Sequence, residues 1–352
     1  MKILILGGTG AMGTPLVHEL AQKENCEVYV TSRVFRNSDY DNVFYLLGDA
    51  HDMIFLNSIL SKKWDAIVDF MYYSIAEFQG RVNLFLKNTN QYIFISSGRV
   101  YADSVEPITE DSKRLLDTCD DRKYVESDEY AIVKAKEENL LFNSNNTNWT
   151  IVRPYITYNS SKMQLGVFQK EQWLYRVVNN KKIIFSRDIA SRITSYTYGP
   201  DVASVLSQLV GNEKAMGEVF NVANDQPTTW GDIIECYNLN INDYMGKAIN
   251  ILWVENSEEI QDISNRYQII YDRLYNRTFN NDKIRSAIGE GTFTDIQNGI
   301  CKCIKDFRYK QTWEGFDARY NGWADKKTKS FSELKELGNI KNALLYCKHR
   351  FW

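Results

Sequence analysis

Short aliphatic runs recur along the first half of the chain, separated by polar stretches with helical periodicity. The runs are Ile3-Leu4-Ile5-Leu6, Glu27-Val28-Tyr29-Val30-Thr31, Ala66-Ile67-Val68-Asp69-Phe70, Tyr92-Ile93-Phe94-Ile95-Ser96 and Trp149-Thr150-Ile151-Val152-Arg153. They lack the strict apolar–polar alternation of a half-exposed strand. Such runs predict a parallel sheet covered on both faces. Between the first two runs, Leu16, Val17 and Leu20 fall on one helical face, with Pro15 in the first turn. Residues 129–142 predict another helix, directly before the strand at 149–153. Residues 195–223 return to the same style, with Asp201-Val202-Ala203 opening a helix and Val219-Phe220-Asn221-Val222-Ala223 forming a strand. Alternating strands and helices imply a doubly wound α/β architecture.

The first strand breaks into Gly7-Gly8-Thr9-Gly10-Ala11-Met12-Gly13 before its helix begins. Glycines let the backbone approach a pyrophosphate, and the N–H groups of the new helix point at it. Gly7, Gly10, Ala11, Met12 and Gly13 are therefore expected to cradle a dinucleotide. The expected fold is a Rossmann-type doubly wound parallel sheet with a smaller C-terminal substrate-binding region. Residues 1–162 and 195–224 would form the dinucleotide domain, 163–194 and 225–310 the substrate region, and 311–352 a C-terminal extension. After residue 160 the periodicity loosens, which is the basis for that division.

The end of the second strand selects the cofactor. A carboxylate there would bond the ribose 2′-hydroxyl of NAD. This chain has Thr31-Ser32-Arg33, with Arg36 nearby. A hydroxyl and planar guanidinium groups suit a 2′-phosphate, so NADP is expected, with NAD as the alternative. Asp49, after the third strand, either reaches the adenine amino group or caps the next helix.

Composition narrows the classes. The 352 residues are 44% hydrophobic and contain five prolines, enough for a large core without long disordered linkers. A net charge of −3 gives no electrostatic footprint for nucleic acid, so none is expected as a partner. No apolar stretch approaches the ~18 residues that span a bilayer. Met1 runs straight into the first strand and leaves no room for a signal peptide, so the expected compartment is the cytoplasm. The six cysteines and three histidines have no zinc-site spacing, and no metal is expected.

Tyr130-Ala131-Ile132-Val133-Lys134 lies within the predicted helix, where positions i and i+4 share a face. An ordinary tyrosine has a pKa of ~10, and a nearby ammonium favours its phenolate. The pair can pass a proton to or from a carbinol oxygen. Ser97, in Ile95-Ser96-Ser97-Gly98-Arg99-Val100-Tyr101, follows a strand at the sheet edge where α/β proteins bind ligands. Its hydroxyl could hold the reacting oxygen towards Tyr130, or only cap a turn.

Together these residues resemble the short-chain dehydrogenase/reductase superfamily, and within it the extended, NAD-dependent epimerase/dehydratase family. The resemblance covers residues 1–225 well and 226–300 loosely. It rests on Gly7, Gly10 and Gly13, on Ser97 with Val100-Tyr101, on Tyr130 with Lys134, and on Arg153-Pro154. Asp201-Val202-Ala203 and Asn221-Val222-Ala223 match later landmarks. It implies that Tyr130 is the general acid/base and that Lys134 bonds the nicotinamide ribose and tunes Tyr130. Ser97 would bind the substrate oxygen, and Pro154 would flank the cofactor. The implied activity is epimerisation or reduction of a nucleotide-activated sugar, in a possible homodimer.

Some positions depart from the family. Asp69-Phe70-Met71-Tyr72-Tyr73 is bulkier than the usual stretch after the fourth strand. Gly98-Arg99 follows Ser97 where sugar-nucleotide dehydratases carry Asp-Glu, which argues against dehydration. Ile156 stands where many epimerases have asparagine. Tyr72, Tyr73, Tyr155 and Tyr158 could line an apolar pocket, belong to the core or stack on a sugar, and Arg192 is a further candidate substrate contact. Residues 271–284 resemble a divergent branch that includes chloroplast stem-loop RNA-binding proteins. An RNA-associated or nucleotide-regulated binding protein is therefore one alternative. A reductase of a small non-sugar ketone is another.

Overall fold

A computed structural model describes residues 1–261, 263–289, 291 and 293–352. The chain divides into two units. The first comprises Met1–Thr157, Ser195–Asp225 and Thr278–Thr294; the second comprises Tyr158–Thr194, Gln226–Arg277 and Asp295–Trp352.

Seven strands build the sheet of the first unit: β1 (Lys2–Leu6), β2 (Glu27–Ser32), β3 (Val43–Leu47), β4 (Trp64–Asp69), β5 (Thr89–Ile95), β6 (Trp149–Pro154) and β7 (Glu218–Val222). Their order is β7-β6-β5-β4-β1-β2-β3, and every pairing is parallel. The expected doubly wound sheet is therefore present. Its flanking helices include α1 (Gly13–Ala21), α2 (Met53–Ile59), α3 (Ile75–Lys87), α4 (Tyr130–Phe142) and α5 (Gly199–Leu209).

The apolar runs are buried on both faces because successive side chains point in opposite directions. Ile3 and Ile5 join Val28, Val30, Ile93 and Val152 in one layer with Leu16 and Leu20 of α1 and Val202 and Leu206 of α5. Leu4 and Leu6 enter the opposite layer with Ile67, Phe94 and Ile151, under Phe78 and Phe85 of α3 and Leu141 of α4. Local capping starts the helices where the chain leaves the sheet. The Asp52 side chain accepts the Ile54 N–H at 2.8 Å, and Ser74 with Glu77 forms a reciprocal capping box.

Residues 278–294, read from the sequence as part of the substrate region, pack in the first unit. Asn281 donates to the Ala223 carbonyl at 2.7 Å, and Thr294 donates its N–H to Asp201 at 2.7 Å. Residues 311–352 are integral to the second unit. There the fully buried Arg176 donates to Asp325 at 2.7 Å and to Asn321 at 3.1 Å. The second unit also contains a parallel strand pair, Ile183–Ser186 with Ile251–Val254, and the packed helices Trp230–Met245 and Ile296–Tyr309. No helix among the described residues is long and apolar enough to cross a membrane.

Candidate functional site

The site lies at the carboxyl edge of the first unit's sheet, where β1, β2, β4 and β5 end. Gly7 takes a φ of +68°, a conformation that side chains resist. A Cβ on Gly13 would come within 2.6 Å of the Gly8 backbone, so strand-to-helix packing requires glycine there. Gly10 differs: a Cβ there would meet nothing within 4 Å. That open backbone faces a cleft of about 310 Å³. Met12 caps α1 without a side-chain hydrogen bond, and no acidic residue occupies the first turn. A diphosphate fits this turn, since the helix start offers positive dipole and no competing carboxylate. Ala11 lies between, half-exposed.

The cleft wall continues through Thr31, Ser32, Arg33, Asp49, His51, Met71 and Tyr72. The Gly7 N–H donates to Thr31 Oγ1 at 3.1 Å, which ties the glycine turn to β2. Ser32 Oγ donates to the Val34 carbonyl at 2.7 Å and accepts from Arg36 Nε at 3.3 Å. Arg33 and Arg36 are exposed; Arg33 lines the β2 end of the cleft, and Arg36 adjoins it through Ser32. Asp49 accepts the His51 N–H at 3.0 Å and is exposed to the cleft. Capping of α2 falls to Asp52, which leaves the Asp49 carboxylate for a ligand.

Tyr130 opens α4, whose N-cap is Glu129; the Glu129 carboxylate accepts the Ala131 N–H at 2.7 Å. The Tyr130 ring is held from two sides. Tyr72 stacks on it at 5.8 Å, and the Arg99 guanidinium lies 5.4 Å from its centroid. Arg99 is ion-paired with Glu129 at 2.5 Å. Ser97 follows β5 and accepts the Arg99 N–H at 3.2 Å, so the turn that presents Ser97 also carries the cation beside Tyr130. Pro154, ending β6, is paired with Val222 and buried.

Lys134 is 2% exposed. Its Nζ lies 3.0 Å from Glu137, donates to the Met71 carbonyl at 3.4 Å, and sits 4.4 Å from the Phe94 ring centre. Asp69, at the end of β4, accepts the Met71 N–H at 2.9 Å and the Tyr92 hydroxyl at 2.8 Å. Burial pushes Asp69 up to about 6 against these hydrogen bonds and Lys134. Burial likewise pushes Glu137 up to about 7 against the pull of Lys134.

A second network fixes α4 to the sheet. Glu138 is fully buried and receives Arg153 Nε and Nη2, each at 2.7 Å, the Ser96 hydroxyl at 2.6 Å and Arg114 at 3.1 Å. Arg153 also donates to the Tyr101 hydroxyl at 2.6 Å. Of the two adjacent serines, Ser96 thus serves the scaffold while Ser97 caps the turn.

The proposed substrate residues are dispersed. Tyr72 lines the cleft and is half-exposed, whereas Tyr73 and Tyr155 are core residues. Tyr73 packs with Phe78 and Phe85, and Tyr155 with Phe279. Aromatic neighbours cover both, those of Tyr73 from the helix that follows it and that of Tyr155 from a distant segment. Arg192 belongs to the second unit, where its carbonyl accepts the Trp230 N–H at 3.2 Å. Tyr158 and Lys162 repeat the Tyr130–Lys134 spacing, but a two-residue strand and a turn carry them instead of one helix face. Asp69, Arg99, Glu129 and Glu137 escaped the sequence reading. Only the Lys134–Glu137 spacing, one helical turn, offered a signal.

The fold is similar to dTDP-glucose 4,6-dehydratase from Bacillus anthracis in complex with NAD, with a TM-score of 0.66 and 17% identity over 89% of this chain and 98% of that one. UDP-glucuronic acid 4-epimerase from Bacillus cereus in complex with NAD gives 0.65 and 15%, over 88% and 100%. A curated relative, the chloroplast stem-loop binding protein of 41 kDa b from Arabidopsis thaliana, is 28% identical over 65% of this chain, and the match spans 60% of that protein's length. The model of the NAD dependent epimerase/dehydratase family matches residues 3–223, the stretch that holds the glycine turn, Ser97, Tyr130 and Lys134, and the chain belongs to that family.

Proposed function

We propose that the chain is an NADP(H)-dependent reductase or epimerase that acts on a nucleotide-activated sugar by hydride transfer. One observation carries the reading: Tyr72 both lines the dinucleotide cleft and stacks on the Tyr130 ring. The candidate acid/base therefore borders the cleft. A bound nicotinamide would supply or accept the hydride. The Tyr130 phenol gives or takes the proton of the substrate oxygen. Ser97 holds that oxygen, and Lys134 keeps an ammonium one helical turn from Tyr130. Gly7, Gly10, Ala11, Met12 and Gly13 would receive the diphosphate, and Pro154, three strands away at the end of β6, would flank the cofactor elsewhere. Asp49 would take the adenine amino group, and Ser32, Arg33 and Arg36 a 2′-phosphate.

The nucleotide-sugar class is supported by the named substrates of the structurally similar enzymes. Arg99, ion-paired beside Tyr130, supplies no carboxylate for dehydration. Tyr72 is the substrate contact that borders the cleft in this reading, and Arg192 remains a candidate contact carried by the second unit. A homodimer and a cytoplasmic location belong to it too, and the six free cysteines suit a reducing compartment.

The test has two stages. NADPH and NADH are titrated against the protein, and NADPH is expected to bind more tightly. A panel of UDP- and dTDP-sugars is then followed by NMR. Tyr130→Phe should retain NADPH affinity and lose turnover by ~10²-fold or more. Unchanged turnover removes Tyr130 from the chemistry.

The Arabidopsis relative, whose name records stem-loop binding, favours a second reading as an RNA-associated protein. A gel shift with structured RNA separates the two. Tight, salt-sensitive binding would favour the RNA reading, although the net charge of −3 works against it.

A further inference from the structure

One ammonium and two carboxylates share the interior beneath α4, Lys134 and Glu137 lying one and two turns along the helix from Tyr130. Lys134 is 2% exposed, and Asp69 and Glu137 are both fully buried. Lys134 and Glu137 form an ion pair at 3.0 Å that lies outside hydrogen-bond geometry, and neither Glu137 oxygen has a hydrogen-bond partner among the described residues. Asp69 is anchored by the Met71 N–H and the Tyr92 hydroxyl.

The other charged groups around the cluster are paired or solvent-exposed: Glu129 is paired with Arg99, His51 beside Tyr73 lies 3.1 Å from Glu77, and Asp128 before α4 is exposed. Tyr72 and Tyr73 face the cluster from the loop after β4, and Tyr92 faces it from β5. Arg81 of α3 lies over the Tyr73 ring at 5.3 Å and is ion-paired with Glu77 at 3.8 Å. Glu138, next on the same helix, is neutralised by Arg153 and Arg114. With both carboxylates ionised, the cluster would carry one uncompensated negative charge in an apolar interior. A buried group in that position takes up a proton instead. The upward displacement of both carboxyls agrees with this count.

We propose that Asp69, Lys134 and Glu137 form a buried proton-holding site that exchanges one proton with Tyr130 through Lys134. The proposal rests on the oxidoreductase reading above. After Tyr130 gives its phenolic proton to the substrate oxygen, the phenolate takes a proton from the Lys134 ammonium. One N–H bond breaks and one O–H bond forms. The resulting amine takes the proton of the Glu137 carboxyl, leaving a carboxylate that is later reprotonated from water. In the oxidative direction each transfer reverses. No electrons move in these steps. Glu137 touches no reacting atom and acts through Lys134, so it is a positioning residue.

Infrared difference spectroscopy of the whole protein between pH 5 and 9, in H₂O and D₂O, tests the site directly. One protonated-carboxyl band is expected at pH 6, fading towards pH 9, and it should be lost in Glu137→Gln or in the isosteric Asp69→Asn. No such band, or a band unchanged in both variants, overturns the proposal. Calorimetric titration with NADP⁺ and NADPH, in buffers of different ionisation enthalpy, tests the link to the active site. The cationic nicotinamide should expel up to about one proton from the wild type at pH 6.5, the neutral one none, and Glu137→Gln should release none with either. Equal proton release in wild type and Glu137→Gln also overturns the proposal. Failure to bind either dinucleotide overturns the oxidoreductase reading and the transfer with it, and the infrared band distinguishes that failure from failure of the cluster.

Discussion

Removing Glu138 should destabilise the first unit strongly. It is fully buried, and it receives both forks of Arg153 at 2.7 Å, Ser96 at 2.6 Å and Arg114 at 3.1 Å. Arg114 keeps a second carboxylate, Asp117, at 2.8 Å; Arg153 has no other ion pair among the described residues. Glu138→Ala therefore strands a buried guanidinium, and breaking such a pair from one side costs about 3–5 kcal/mol. Replacing both partners, as in Glu138→Leu with Arg153→Met, removes the charges together and should cost much less than the sum of the single changes. A coupling of at least ~2 kcal/mol is expected from the cycle. Hydrogen exchange read by mass spectrometry over residues 130–142 and 149–154 measures the local free energy without relying on the second unit. The same variants should loosen Tyr130 against Ser97, because α4 is fixed to the end of β5 through Ser96. Additive losses within ~0.5 kcal/mol would refute the buried-network account.

Gly13→Ala pushes a Cβ to 2.6 Å from the Gly8 backbone, so it should destabilise the fold by about 1–3 kcal/mol and abolish dinucleotide binding; normal affinity in a fluorescence titration would contradict the cradle. Replacing Arg33 and Arg36 with alanine should weaken NADP⁺ by roughly 10- to 100-fold, from charge-assisted bonds of ~1.5–3 kcal/mol, and leave NAD⁺ nearly unchanged. Equal losses would remove the 2′-phosphate assignment. Folding raises the Glu137 carboxyl from 4.5 to about 7, so the stability it contributes is fully present below 4.5 and lost as pH rises through 7. Glu137→Gln removes that loss and should gain up to about 3 kcal/mol over the wild type above pH 8 in urea unfolding. An unaltered pH slope would contradict the burial of an ionising group.

What the chain states locally could be read from it. The both-face burial of Ile3-Leu4-Ile5-Leu6 follows from an unbroken aliphatic run, since a strand's side chains alternate whatever lies beyond it. The glycine turn was equally legible, because the positive φ of Gly7 belongs to its own residue and Gly13 meets Gly8 only five residues away. So was the one-turn spacing of Tyr130 and Lys134 on α4. Tertiary structure decided which of these groups meet. Asp69 feels the charge of Lys134 only because the loop after β4 meets α4, where Lys134 donates to the Met71 carbonyl. Ser96, Glu138 and Arg153 meet only because β5 and β6 are neighbouring strands of one sheet and α4 packs against them. The same closure buried Tyr73 and Tyr155, which composition alone left open as pocket or core. It also returned residues 278–294 to the first unit through Asn281 and Thr294. Periodicity and turn sterics are properties of neighbouring residues. Burial, charge pairing and protonation depend on segments that the chain brings together only when it folds.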